Sequence, residues 1–81
     1  DARYCSRYVS YQANRGQGPV RIRRDLAAVG LPAALIDPAL EAEDWRQHCR
    51  DVRRRRFGPE IPADWQEKGR QSKFLQYRGF S

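Results

Sequence analysis

The chain has 81 residues and a formal net charge of +6, with 16 Lys and Arg against 10 Asp and Glu. A chain of this length holds one small domain or a short repeat array with a thin core, which excludes a large enzyme. The basic excess favours an acidic partner, either nucleic acid or an acidic protein face, and no apolar run nears the ~20 residues of a membrane helix. Fourteen of the basic residues are Arg, and residues 1–40 and 41–81 each net +3, so the charge is not a basic tail on a neutral domain. Leu, Ile, Val and Phe make only 15 of the 81 residues. That range keeps open a disordered chain that folds on a partner; four Tyr, three Phe and two Trp weigh against it. The opening Asp1-Ala2-Arg3-Tyr4 lacks the apolar stretch of a signal peptide. Cys5 and Cys49 form no C-x-x-C, which points to two separate reduced thiols in a cytoplasmic protein.

Residues 2–15 read as a first helix. Tyr4, Cys5, Tyr8, Val9 and Tyr11 share one apolar stripe, which assigns the tyrosines to the core; base stacking is the other use of such rings. Arg3 and Arg7 lie outside the stripe. Gly16 suits a left-handed C′ position and Pro19 the first turn of the next helix. Residues 19–29 read as a second helix, with Ile22, Leu26 and Val29 inward and Arg21, Arg24 and Asp25 on a charged face. Gly30 closes it, and Leu31 folds back as the hydrophobic contact of the cap. Residues 33–42 read as a short third helix with Leu35, Ile36, Ala39 and Leu40 inward, bent where Pro38 removes a backbone bond. Asp44 caps a fourth helix that runs to about Arg56, with Trp45, Cys49 and Val52 at helical spacing. After the loop around Pro59-Glu60-Ile61-Pro62, Asp64 and Glu67 form a D-x-x-E capping box for a fifth helix ending at Gly79. Strand signals are nearly absent, so the fold class is all-α.

The second and fifth helices repeat. An offset of 49 residues sets Arg21 on Arg70, Arg24 on Lys73, Leu26 on Leu75, Gly30 on Gly79 and Leu31 on Phe80. An offset of 44 sets Cys5 on Cys49 and Tyr8 on Val52. The chain therefore divides into a complete three-helix repeat, residues 1–43, and a second repeat, residues 44–81, that lacks its last helix. Leu26 and Leu75 are expected to be buried in equivalent places. A chain that starts and stops inside a repeat is expected to be a fragment of a longer protein.

The chemistry points to binding rather than catalysis. His48 is the only histidine, and as neighbours on a helix His48 and Cys49 point about 100° apart and cannot chelate together. Gly16-Gln17-Gly18 follows a helix and lacks a P-loop lysine, so it reads as a helix–helix turn. No cofactor or metal is expected. Arg53, Arg54, Arg55 and Arg56 spread around the helix and suit its negative C-terminal end as well as they suit a polyanion. Arg21 and Arg24 share one face, and the repeat presents Arg70 and Lys73 in the same way. Two repeats with the same basic pair suit a periodic acidic ligand, or a solvated face.

These residues resemble a known family. Tyr8-Val9, followed by Gly16-x-Gly18-Pro19-x-Arg21-Ile22-Arg23-x-x-Leu26-x-x-x-Gly30, is similar to the middle of the RecX family of bacterial recombinase regulators. Trp45 at a helix start, Arg56-Phe57-Gly58, and the octet Lys73-Phe74-Leu75-Gln76-Tyr77-Arg78-Gly79-Phe80 strengthen the match, which covers essentially the whole chain. It corresponds to the second repeat and most of the third. Departures fall at Pro38, at Gly69 where alanine is common, and at Ser72 where an apolar residue is common. The resemblance implies a curved array of tandem three-helix, helix-turn-helix-like repeats. It also implies a negative regulator that lies along the RecA–single-stranded DNA filament and suppresses its ATPase, strand-exchange and coprotease activities; a monomer is expected. It supplies no catalytic residue and no motif-defined contact. The candidate partner-binding residues are therefore those of the charge analysis: Arg21, Arg24, Arg70, Lys73, Arg53, Arg54 and Arg78, facing RecA or, through phosphates, single- or double-stranded DNA. The rival reading is a helix-turn-helix module that binds DNA directly. The helix over residues 19–29 offers arginines and no amide for base edges, which favours phosphate or protein contact.

Overall fold

Five helices follow one another in the computed structural model, which describes residues 2–80. They are α1 (Ala2–Asn14), α2 (Pro19–Ala28), α3 (Ala33–Glu41), α4 (Trp45–Phe57) and α5 (Trp65–Tyr77), with no strand among the described residues. The stops follow the predicted residues. At Gly30 and Gly79, φ is +91° and +97°, a region that glycine enters without a Cβ penalty. The Leu31 N–H reaches back to the Leu26 carbonyl and the Phe80 N–H to the Leu75 carbonyl, the longer bond of a Schellman cap at both ends of the 49-residue offset. The starts differ in quality. Asp44 accepts from the Gln47 N–H at 3.1 Å and Asp64 from the Glu67 N–H at 2.8 Å. Glu67 does not return a bond to the cap; its carboxylate is taken by Arg70 and Gln71, so the predicted capping box is one-sided.

Helices α1, α2 and α3 pack on one another around Cys5, Val9, Ile22, Leu26, Ile36, Ala39 and Leu40, with Tyr8, Leu31, Leu35 and Trp45 at the edge of this cluster. The buried line on α1 is Cys5, Val9 and Ala13, one residue per turn. That line is narrower than the predicted stripe. Tyr4 and Tyr11 are 53% and 59% exposed, because α1 meets α2 and α3 on a single edge, and only Tyr8 is half-buried. Val29, predicted to face inward, is exposed where α2 ends. Helix α3 runs through Pro38 to Glu41 and is pinned to α2 by an Arg23–Asp37 ion pair.

Helices α4 and α5 form a hairpin whose buried side chains are Val52 and Gln71, closed at one end by an edge-to-face contact of Phe57 and Phe74 with centroids 5.4 Å apart. Leu26 is buried, but Leu75 is only half-buried, so the expectation of equal burial fails. The α4–α5 hairpin has one helix fewer to cover that side chain than the α1–α3 bundle has for Leu26.

The hairpin joins the bundle through backbone. Gly18 N–H donates to the Arg78 carbonyl at 2.7 Å and Val20 N–H to the Gly79 carbonyl at 3.0 Å. Donors at the start of α2 thereby satisfy the carbonyls just past the end of α5, with opposite ends of two helix dipoles in contact. The approach leaves no room for a side chain: a Cβ on Gly18 would lie 2.3 Å from the Gly79 carbonyl carbon. Trp45 adds an indole N–H bond to the Leu40 carbonyl at 2.7 Å and an edge contact with Phe80. The resulting body measures 44 × 18 × 16 Å.

Candidate functional site

The predicted basic residues fall into three settings. Arg24, Arg54 and Lys73 are exposed and carry no hydrogen bond or ion pair to a side chain among the described residues. Arg21 is half-buried rather than exposed. Its stem packs against Gly79, where an added Cβ would sit 2.6 Å from the Arg21 Cβ, and its guanidinium lies 5.9 Å from the centre of the Tyr77 ring. The sequence could not place it there, because the packing comes from the contact between α2 and the end of α5.

Arg53 and Arg70 are drawn into one network. Arg53 donates to the Gln71 side-chain carbonyl at 3.4 Å and to the Glu60 backbone carbonyl at 3.2 Å. Arg70 makes two bonds to Glu67, at 2.8 and 2.6 Å, and Gln71 donates to the same carboxylate at 3.3 Å. The Arg70 hydrogen bond holds the Glu67 carboxyl below its ordinary pKa, and Glu67 in turn raises that of Arg70. Arg70 is thus already neutralised on its exposed side, unlike Arg21, its counterpart at the 49-residue offset. The two basic pairs therefore have different surroundings. Arg78 is half-buried, with its guanidinium 5.5 Å from the centre of the Phe74 ring.

Three further arginines, Arg15, Arg55 and Arg56, stand near Arg78 around Gly16 and Phe74. In the sequence Arg55 and Arg56 stand out only within the run of four, and Arg15 does not stand out. The spacing carried a usable signal: Tyr11 and Arg15, and Phe74 and Arg78, are aromatic–arginine pairs at i, i+4, which stack on one helix face.

Ser10, Glu43 and His48 also meet. The Ser10 hydroxyl donates to Glu43 Oε2 at 2.7 Å, and His48 Nε2 lies 2.8 Å from Glu43 Oε1. Both partners bond the carboxylate and not each other, so the imidazole is not placed to take the hydroxyl proton. The cluster ties α1 to the start of α4. Among the described residues no three His, Cys, Asp or Glu side chains gather as metal ligands, and Cys5 and Cys49 are unpaired. No described helix is long and apolar enough to cross a membrane.

An all-α tandem array with arginine-rich surfaces and helix-to-helix backbone joints defines a helical-repeat protein. The family comparison gives this class a name. Residues 1–40 match the profile of RecX, second three-helix domain, and residues 42–81 that of RecX, third three-helix domain. A Regulatory protein RecX of Pseudomonas fluorescens is 45% identical over all of this chain and 54% of its own length. One from Halorhodospira halophila is 47% identical over all of the chain and 52% of its own length. One from Pseudomonas syringae pv. tomato is 40% identical over 99% of the chain and 53% of its own length. The chain belongs to the RecX family, whose members here are named as regulatory proteins, and it spans about half the length of the curated relatives it matches.

Proposed function

We propose that this protein is a negative regulator of the RecA recombinase that binds the RecA–single-stranded DNA filament and suppresses its ATPase, strand-exchange and coprotease activities. The observation that supports this reading most is the form of the molecule within its family. It is a rod-like helical array, 44 Å long, with exposed cations on both the α1–α3 bundle and the α4–α5 hairpin. A filament repeats its acidic protein surface and its phosphates at a regular pitch. Contacts that are weak one at a time add through effective concentration when one rigid body carries them. Arg24, Lys73 and Arg54 are the primary contacts in this proposal, because no carboxylate among the described residues pairs with them. Arg21, Arg53 and Arg78 contribute their exposed ends, and Arg70 contributes least while Glu67 holds it. The protein acts in the cytoplasm as a monomer, without a cofactor.

The test is a titration of RecA ATPase on single-stranded DNA with the full-length protein. Inhibition should weaken as salt rises, since exposed charges are screened within about 8–10 Å at physiological ionic strength. Replacing Arg24→Glu together with Lys73→Glu should raise the half-inhibitory concentration about tenfold, equivalent to ~1.4 kcal/mol, with the melting temperature unchanged. An ATPase indifferent to the parent protein at every concentration ends the reading. Unchanged inhibition by the double variant makes those two residues a solvated face.

A further inference from the structure

The ends of three helices converge on a cleft of about 250 Å³ whose rim holds Arg15, Arg55, Arg56 and Arg78 around Gly16 and Phe74. Arg15 follows the end of α1, Arg55 and Arg56 lie in the last turn of α4, and Arg78 caps α5. None of the four has a carboxylate partner among the described residues. Each is nonetheless positioned. Arg15 lies 5.6 Å from the centre of the Tyr11 ring, and Arg56 and Arg78 each lie 5.5 Å from that of Phe74. An Arg55 nitrogen comes within 3.9 Å of where a Cβ on Gly16 would stand, so the missing side chain leaves the space beside which the guanidinium sits.

A structural role alone does not use up this charge. Each helix C-terminus carries about −0.5 of an elementary charge, so three offset roughly 1.5 of the four positive charges. The end of α5 needs less than that, because Gly18 and Val20 N–H groups already take the Arg78 and Gly79 carbonyls. At least two positive charges remain, held in place on aromatic rings, which lowers the entropy cost of engaging them. The polar lining side chains are all guanidinium groups, which donate hydrogen bonds and accept none. A peptide segment brings backbone N–H donors that such a rim leaves unmatched. A phosphodiester brings only acceptors, and the guanidinium fork fits it in a bidentate manner. Arg56, Arg78 and Phe57 already pack against the Phe74 ring, so the guanidinium groups and not the ring carry the recognition.

We propose that this cleft is a phosphodiester-binding site for the backbone of a nucleic-acid strand, read by charge and geometry without base recognition. It is separate from the exposed Arg24 and Lys73 contacts, and its test leaves the recombinase out, so its failure and the failure of the regulatory reading are distinguishable.

The test uses the full-length protein and a fluorescent 20-nucleotide thymidylate strand, with binding followed by anisotropy across a salt series. The double variant Arg55→Gln/Arg78→Gln should weaken binding about tenfold or more. It should also lower the slope of log K against log salt by about 1.4, since each single-strand phosphate contact contributes about 0.7. Arg3→Gln/Arg7→Gln, with the same loss of charge outside the cleft, should leave the slope unchanged. A duplex of the same length, used as competitor, separates single-strand from double-strand backbone: either source of phosphate competing supports the site. If polyglutamate of matched charge competes better than both, the cleft is an acidic-protein site and the proposal falls. The proposal also falls if the two double variants bind alike. Should the cleft variant fail to fold, amide shifts of the parent protein decide. Addition of the thymidylate strand must move the Gly16 amide, and a Gly16 resonance that stays fixed at saturation overturns the assignment.

Discussion

Val9 and Ile22 are buried together in the α1–α3 bundle, and the positions that the two offsets make equivalent in the α4–α5 hairpin are Arg53 and Gln71. The first pair is apolar and nearly free of solvent. The second is a hydrogen-bonded polar pair, 5% exposed at Gln71 and half-buried at Arg53. Cys5 and Cys49 differ in the same direction, one wholly buried and the other half-buried. Meanwhile the backbone caps at Gly30 and Gly79 remain alike. Repetition has kept the chain path and changed what fills it. Burying Val and Ile stabilises by about 1.5–3 kcal/mol each, whereas a hydrogen bond nets about 0.5–1.5 kcal/mol. The hairpin therefore draws less stability from its own interior and depends more on the seam at Gly18 and Gly79.

The largest expected contrast is at the paired leucines. Leu26→Ala, in the closed core, should cost about 2–5 kcal/mol, and Leu75→Ala, already half in water, about 1–2 kcal/mol. Denaturant melts of the two variants check this, and equal costs would erase the distinction between the units. Native-state hydrogen exchange should agree, with the amides of α4 and α5 opening at lower free energy than those of α1 and α3.

Next in size is the seam. Gly18→Ala forces a Cβ into the Gly79 backbone and should cost about 3 kcal/mol, near the upper end of overpacking effects. Gly79→Ala adds a clash with the Arg21 Cβ to an unfavourable φ. Gly30→Ala, with the same sign of φ but open space around it, should cost only about 1–2 kcal/mol. A Gly79→Ala variant as mild as Gly30→Ala would mean that the bundle and the hairpin do not lean on each other there.

Much of this architecture was legible in the sequence because it is local. Gly16, Gly30, Asp44 and Asp64 act on their own helices, and the spacing of Ile22 and Leu26 marks a buried face whatever packs on it. What was not legible depends on which helix ends meet. Gly18 is a glycine for its close approach to Gly79, 61 positions away, and within its own turn it has no reason to be one. Arg21 loses exposure to that same contact. Tyr4 and Tyr11 share the helical stripe of Cys5, yet the width of the partner surface decides who is covered, and periodicity does not encode width. The arginine cleft is assembled from the ends of α1, α4 and α5, so only its two i, i+4 aromatic–arginine pairs could be seen in advance.

A smaller effect tests the exchanged core pair. Arg53→Val with Gln71→Ile restores to the hairpin the residues of the bundle. The double variant should lie within about 1 kcal/mol of the parent, because loss of the polar pair is offset by apolar burial. Each single change should be worse than half of the double would suggest, since it leaves a partner unmatched. A double-mutant cycle measures the coupling, expected at about 0.5–1 kcal/mol. Strict additivity would show that Arg53 and Gln71 do not act as a pair.

The last contrast leaves stability untouched and reads the thiols. Cys5 has no exposure, so iodoacetamide should reach it only when the bundle opens. Cys49 is partly accessible and should be alkylated in the folded protein. Its pKa is raised: burial penalises the thiolate, and the nearby Arg53 charge offsets this only in part. Because the thiolate is the nucleophile, alkylation of Cys49 should be slower at neutral pH than that of an unhindered thiol, with a rate midpoint above the ordinary cysteine value. The linkage has a definite sign. A folded-state pKa above the unfolded one favours folding fully below the unfolded value, and that contribution is lost as pH rises through the folded one. Arg53→Gln removes the opposing charge and should shift the midpoint further up, which rate–pH profiles of the two proteins would record. If Cys5 and Cys49 are alkylated at the same rate in the native state, the α1–α3 core is no tighter than the hairpin, and the difference drawn between the units disappears.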